Sequence, residues 1–245
     1  MAAGRESLGP PHVKPSPPGR GQGEGEEAKD VAAVEGRGLV LFFPGNAGDR
    51  RNRNLDCSDL ADMGLDVFLF DYRGYGDNPG SPSEEKLAAD ARSVWRFATE
   101  TCRVPPEQIL LYGESLGGAV ATRLAAERSE AGTPPAALVL CATFPSLVDV
   151  GAWHYPWLPV RLVLLDRYPS QARIASVTCP VLQVHGTDDD IVPLELARKL
   201  FAATPERSAD GIANRFVEVP DVGHNDIGVS NFRAAIGEML GRIAN

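Results

Sequence analysis

From residue 38 onward, short apolar runs alternate with longer amphipathic stretches. The runs at 38–43, 66–71, 108–112, 137–141, 181–185 and 215–219 predict six strands. Most are apolar at consecutive positions, the pattern of strands buried on both faces. Helices are predicted between and after them, at 52–63, 83–101, 117–128, 194–203 and 231–243. In 83–101, Leu87, Ala91, Val94, Trp95 and Ala98 share one helix face. Ser83, just before Glu84 and Glu85, reads as the N-cap of that helix. Strands separated by helices imply an α/β fold with a mostly parallel sheet covered on both sides. Such sheets bind ligands at the carboxyl ends of their strands, so chemistry is expected in the strand-to-helix turns. Between 143 and 178 the alternation breaks, and Trp153, Tyr155 and Trp157 cluster with prolines. This segment reads as a short aromatic lid over the carboxyl edge, or as plain packing against a neighbouring helix.

Residues 1–37 follow no such pattern. They are rich in Gly and Pro and contain no aromatic residue, so a disordered tail is expected there. Residues 38–245 then form one domain. A 245-residue chain with 43% hydrophobic residues can bury a sizeable core. With 24 Lys+Arg against 33 Asp+Glu the formal net charge is −9, which argues against nucleic acid as a partner. No apolar run reaches the roughly 18 residues of a transmembrane helix. The first 20 residues lack the apolar core of a signal peptide, so a soluble cytoplasmic protein is expected. The four cysteines (Cys57, Cys102, Cys141 and Cys179) form no C-x-x-C pair and are expected to be reduced. His12, His154, His185 and His224 show no metal-ligand spacing, so no metal site is expected.

The strongest local signal is Gly113-Glu114-Ser115-Leu116-Gly117. It matches G-x-S-x-G and falls between a predicted strand and a predicted helix, the context in which a serine nucleophile is lifted above a sheet edge. A serine hydroxyl needs a base. His12 lies in the tail, His154 in the lid, and His185 ends a strand before a tight turn, where it supports the loop. His224 follows the last strand directly, at the carboxyl edge level with Ser115, and is the candidate base. The acid that orients it is expected in the loop after the fifth strand, which offers Asp188, Asp189 and Asp190. Position within the turn favours Asp189. The resulting chain order is serine, acid, histidine. Oxyanion donors are expected from the Leu116 N–H and from the loop Pro44-Gly45-Asn46-Ala47-Gly48, with Asn46 best placed and Ala47 next.

These residues resemble the α/β-hydrolase family over roughly 39–245. Five segments carry a closer likeness: Phe43 to Gly48, Asp71-Tyr72-Arg73-Gly74-Tyr75-Gly76, Gly80-Ser81-Pro82-Ser83, Gly113 to Gly118, and His185-Gly186-Thr187-Asp188-Asp189. They are similar to the minimal-lid branch related to Bem46 and to the serine-aminopeptidase-like hydrolases, whose animal relatives include protein depalmitoylases. The resemblance implies Asp189 as the acid, four residues after His185, and Asn46 as the oxyanion residue. It implies a structural role for the segment Asp71 to Gly76. Pro44 stands where the branch often has a histidine. The Gly/Pro-rich tail stands where family members carry a hairpin of one or two strands, so the first strands of the fold are expected to be missing.

The activity expected is cleavage of a carboxylic ester or thioester in a small-molecule acyl substrate, through an acyl-enzyme and without a metal or organic cofactor. Ser115 would attack, His224 would move the proton, Asp189 would hold the imidazole, and the N–H groups of Asn46 and Leu116 would bind the oxyanion. Trp153, Tyr155 and Trp157 are candidate contacts for an apolar part of the substrate. An aminopeptidase-like amide hydrolase is the alternative reaction, with Asp149 and Asp166 as candidate partners for a free amine. A non-catalytic binding protein on the same fold is the alternative of another class. The sequence leaves the oligomeric state open.

Overall fold

The computed structural model describes residues 38–243. The expected tail at 1–37 lies outside the described residues. Six strands form one sheet: β1 (Leu39–Phe43), β2 (Asp66–Leu69), β3 (Ile109–Glu114), β4 (Ala137–Cys141), β5 (Val181–Gly186) and β6 (Arg215–Val219). Their order is β2-β1-β3-β4-β5-β6, and every neighbouring pair is parallel. The central strands β1, β4 and β5 are buried along their whole length; β1 and β4 are the unbroken apolar runs that a sheet covered on both faces requires, while β5 also buries Gln183 and His185.

The expected helices form with modest differences at their ends. A 3₁₀ turn at Arg50–Arg53 precedes α1 (Asn54–Ala61). The helix α2 (Glu84–Arg96) ends in a π-helical turn at Phe97–Thr101. Its N-cap is Ser83, whose hydroxyl accepts from the Lys86 N–H. Next come α3 (Leu116–Glu130), α4 (Leu147–His154), α5 (Val160–Val163), α6 (Ser170–Ile174), α7 (Leu194–Phe201) and α8 (Val229–Ile243). Two apolar clusters cover the two faces of the sheet. One joins Leu41, Phe43, Leu111 and Leu138 to α2, α3 and α7 through Leu87, Trp95, Leu124 and Leu200. The other joins Val40, Phe42, Tyr112 and Val184 to Leu60 of α1 and to Phe232 and Ile236 of α8.

Sheet order decides where a site can form. After β1 the chain moves outward to β2, then returns to place β3 on the other side of β1. The connections leaving β1 and β3 therefore diverge to opposite faces and open a crevice at their carboxyl ends. Register brings Phe43 beside Gly113, so the loop after β1 starts level with the turn after β3. No described helix is long and apolar enough to cross a membrane.

Candidate active site

The turn after β3 is built by close approach. Ser115 has φ 50° and ψ −114°, a strained pair for a residue with a side chain. Its N–H donates to the Cys141 carbonyl at 2.8 Å, and its own carbonyl accepts from Thr143 Oγ1 at 2.8 Å. These two bonds tie the turn to the end of β4. A Cβ on Gly117 would lie 2.0 Å from the Phe43 carbonyl oxygen, and one on Gly113 would lie 2.5 Å from Gly118 Cα. Only glycine lets α3 begin this close to β1 and β3.

His224 and Asp189 converge on this turn from two neighbouring strands. His224 Nε2 lies 3.0 Å from Ser115 Oγ, and His224 Nδ1 lies 2.7 Å from Asp189 Oδ2. Because the carboxylate can only accept, Nδ1 carries the proton and the Nε2 lone pair faces the hydroxyl. The loops bearing the two residues are stitched together. Thr187 N–H donates to the Val219 carbonyl at 2.9 Å, and Asp188 N–H to the Val222 carbonyl at 3.1 Å. A Cβ on Gly186 would lie 2.1 Å from the Val222 carbonyl oxygen.

The Asp189 side chain is fully buried and meets four donors. Oδ1 accepts the Ile191 and Val192 N–H groups at 3.0 and 2.7 Å. Oδ2 faces His224 and also His185 Nε2, 3.1 Å away. Burial alone raises this carboxyl, but the hydrogen bonds from His185, His224 and the Val192 N–H outweigh it. The net result lies well below the ordinary carboxylate range. Among the described residues the Asp188 side chain accepts only from Thr187 Oγ1. His185 is wholly buried, and its Nε2 also donates to the Val192 carbonyl at 2.7 Å. It thus holds the acid loop, the role expected for it.

The loop after β1 supplies the opposite wall. The Asn46 and Leu116 N–H groups donate to no other described residue, and Leu116 sits in the first turn of α3, where helical N–H groups have no internal partner. Two ties hold this loop that sequence reasoning missed. Tyr75 donates its hydroxyl to Asn46 Oδ1 at 2.6 Å. Arg53 forms a fork with Glu114, Nε to Oε2 at 2.7 Å and Nη2 to Oε1 at 2.8 Å, while Nη2 also reaches the Ala47 carbonyl at 2.9 Å. A charged residue at the end of a buried strand, inside the G-x-S-x-G motif, is the signal that a partner was needed. The expected structural segment is anchored in turn, since Asp71 Oδ1 accepts from the Arg50 N–H at 2.8 Å. A polar cleft of about 390 Å³ opens beside the site, lined in part by Ala47, Arg53, Glu114 and His224.

The remaining candidates make no direct contact with this cluster among the described residues. Trp153, Tyr155 and Trp157 are 50%, 54% and 78% exposed. No hydrogen bond or ring contact joins them to Ser115 or His224 among the described residues. Asp149 is held by Lys199 and Ser146, and Asp166 accepts the Glu84 N–H. Both carboxylates are therefore committed to structural partners.

Comparison with known proteins agrees with the fold. A family model described as alpha/beta hydrolase fold matches residues 38–178. An uncharacterized protein of Mycobacterium tuberculosis is 54% identical over 187 residues, 76% of this chain and 63% of its own length. Lysophosphatidylserine lipase ABHD12 of Danio rerio is 34% identical over 195 residues, 73% of this chain and 50% of that protein. The chain thus spans between half and two thirds of these relatives. Among solved structures, an alpha-beta hydrolase from Vibrio vulnificus superposes with a TM-score of 0.69 at 21% identity, covering 82% of this chain and 73% of that one. Sheet order, the position of the serine turn and these likenesses lead to one assignment: the chain belongs to the α/β-hydrolase family.

Proposed function

We propose that this chain is a serine hydrolase that cleaves carboxylic ester or thioester bonds in small acyl substrates. The observation that carries the reading is the unbroken line from Ser115 Oγ through the His224 ring to the buried Asp189 carboxylate, with contacts of 3.0 and 2.7 Å. In this reading Ser115 Oγ attacks the acyl carbon and its proton passes to His224 Nε2. The buried carboxylate stabilises the imidazolium that forms. The N–H groups of Asn46 and Leu116 bind the carbonyl oxygen as it gains charge. His224 then protonates the leaving alcohol or thiol. Water, activated by the same imidazole, releases the acid and returns the proton to Ser115. The 143–178 segment is the lid of this site. The lipase relative supports an ester, while the commitment of Asp149 and Asp166 to other partners leaves the aminopeptidase reading without its amine-binding carboxylate.

A fluorophosphonate probe tests this directly. The expected result is one adduct, on Ser115 by mass spectrometry, absent from both Ser115→Ala and His224→Ala. A folded wild-type protein that takes no adduct would refute the proposal and favour a binding protein.

A further inference from the structure

A patch outside the catalytic cluster remains unexplained. Residues 150–165 contain no acidic residue in a chain of net charge −9. They carry a run of large apolar side chains in solvent: Trp153, Tyr155, Trp157, Leu162, Val163 and Leu165, each at least half exposed, with Leu162 and Leu165 at 83% and 91%. Single exposed apolar residues are ordinary, but six in thirteen positions form a patch, and such patches mark interaction surfaces.

The exposure is imposed by the fold. The inner side of the segment is pinned at several points. Leu147 and Val150 pack on the core, Val160 is buried, and a Cβ on Gly151 would lie 2.8 Å from Val160 Cγ1. His154 Nε2 lies 2.9 Å from the Ile191 carbonyl. At the far end Glu84 gathers the chain. Its carboxylate accepts the Arg167 and Tyr168 N–H groups, both at 2.8 Å, and Arg173 Nη2 at 2.6 Å. With these contacts made, the apolar side chains beyond them face outward.

We propose that this outer face docks on the surface of an anionic phospholipid bilayer. Three observations select that occupant. Trp and Tyr have amphipathic rings that suit the depth of lipid headgroups, and Leu and Val beside them can enter the acyl boundary. The cations at the patch, Arg161 and Arg167, form no ion pair among the described residues and are exposed. The acidic residues beside them are engaged elsewhere, Asp149 with Lys199 and the Ser146 hydroxyl and Asp166 with the Glu84 N–H. The face thus presents positive charge from a protein that is negative overall, complementary to lipid phosphates and carboxylates. Docking is also connected to the site, because Ile191, which receives His154, follows Asp189 by two residues and gives that carboxylate its N–H. An apolar acyl chain leaving the bilayer would then meet the loop that holds the acid. The inference goes beyond the proposed reaction and does not depend on it.

Vesicle flotation in a Ser115→Ala background tests it without hydrolysis of the lipid. Two vesicle types serve as probes, phosphatidylcholine alone and phosphatidylcholine with phosphatidylserine. The protein is expected to float with the mixed vesicles, less with the neutral ones, and less again at high salt. Leu162→Glu/Leu165→Glu should reduce binding by roughly tenfold or more, since it puts two charges where apolar burial is needed. Arg161→Gln/Arg167→Gln should reduce it by roughly fivefold per cation, and only on anionic vesicles. Brominated lipid should quench Trp153 and Trp157 while sparing Trp95, which is buried. Circular dichroism confirms that the variants fold. Flotation of the leucine variant equal to its parent would overturn the proposal, as would a parent that ignores both vesicle types. A dimer that this variant splits, with no vesicle binding, would overturn it in favour of a second copy.

Discussion

Removing the Arg53–Glu114 fork should damage both stability and turnover. The Arg53 side chain is 10% exposed and that of Glu114 28%, so the pair sits nearer the buried than the surface limit. Fully buried pairs cost about 3–5 kcal/mol when one partner is removed, and exposed pairs about 0–1 kcal/mol. Arg53→Met keeps the packing of the side-chain stem and leaves the carboxylate unmatched, which places its cost at about 2–3 kcal/mol. For a domain of this size that is a fall in melting temperature of roughly 5–10 °C. The same change frees the Ala47 carbonyl, which Arg53 Nη2 holds at 2.9 Å. The loop carrying the Asn46 N–H then loses one of its two ties. Under the proposed mechanism, in which the Asn46 N–H binds the oxyanion, this should lower kcat roughly 10- to 100-fold with little change in KM. Steady-state kinetics on an ester that labels Ser115, with thermal melts, measures both effects. The cycle of Arg53→Met, Glu114→Gln and the double variant isolates the pair. The double variant should be less damaged than the sum of the singles, with a coupling of about 1–3 kcal/mol. Strict additivity, or a KM effect with kcat unchanged, would show that the fork does not position the loop.

Acid stability should follow the depressed carboxyls of Asp189, Glu84 and Glu127, where burial opposes ionisation but hydrogen bonds prevail. Their folded values lie below their unfolded ones, so the unfolded chain binds more protons as pH falls. Urea midpoints should therefore be level from about pH 7 to about pH 5 and drop below that, and a midpoint that rises on acidification would contradict the assignment. Gly117→Ala should cost about 3 kcal/mol, the upper end for overpacking, and abolish fluorophosphonate labelling, because the added methyl meets the Phe43 backbone at 2.0 Å; a wild-type melt would refute the close approach. In iodoacetamide mapping of the native protein, Cys141 and Cys179 should stay unmodified, since both are buried and burial pushes the Cys179 thiol up to about 12 and Cys141 higher still. Modification at the same rate as Cys57 and Cys102 would count against that burial.

The strands and the serine turn were legible for one physical reason. A parallel sheet with helices on both faces demands consecutive apolar residues, and a tight strand-to-helix turn demands small ones. Val40, Leu41, Phe42 and Phe43 show no exposed surface, and Gly113 and Gly117 have no room for a Cβ. Both demands are local, so both leave a mark in a single sequence. The ties across the site are not local. Arg53 and Glu114 are 61 residues apart, and Tyr75 and Asn46 are 29 apart; nothing beside any of them names its partner. The 143–178 segment was harder still, because an aromatic residue does not reveal which side of a short helix will be buried. The phase of α4 is set by Leu147, Val150, Gly151 and His154, spaced i, i+3, i+4 and i+7, all of which meet the protein. Trp153 is one residue out of that phase and ends half exposed.

The same distinction explains why so much of the chain serves a site of so few atoms. Ser115 holds a strained backbone conformation, which costs on the order of 1–3 kcal/mol and persists only if its surroundings compel it. The compulsion comes from β4, through the Cys141 carbonyl and Thr143, and from β1, through the Phe43 carbonyl against Gly117. Asp189 and His224 are fixed by the stitching between the loops after β5 and β6, and Asn46 by residues 53, 75 and 114. Ser115 and Asn46 are therefore held by elements other than their own, while Asp189 is held both by its own loop and by His224. A hydroxyl, an imidazole and a carboxylate can be supplied by three residues, but contacts of 3.0 and 2.7 Å between them require five adjacent strands in register. Substitutions that loosen one strand end should thus affect the site before they affect the fold, and the fork at Arg53 is the place where that order can be observed.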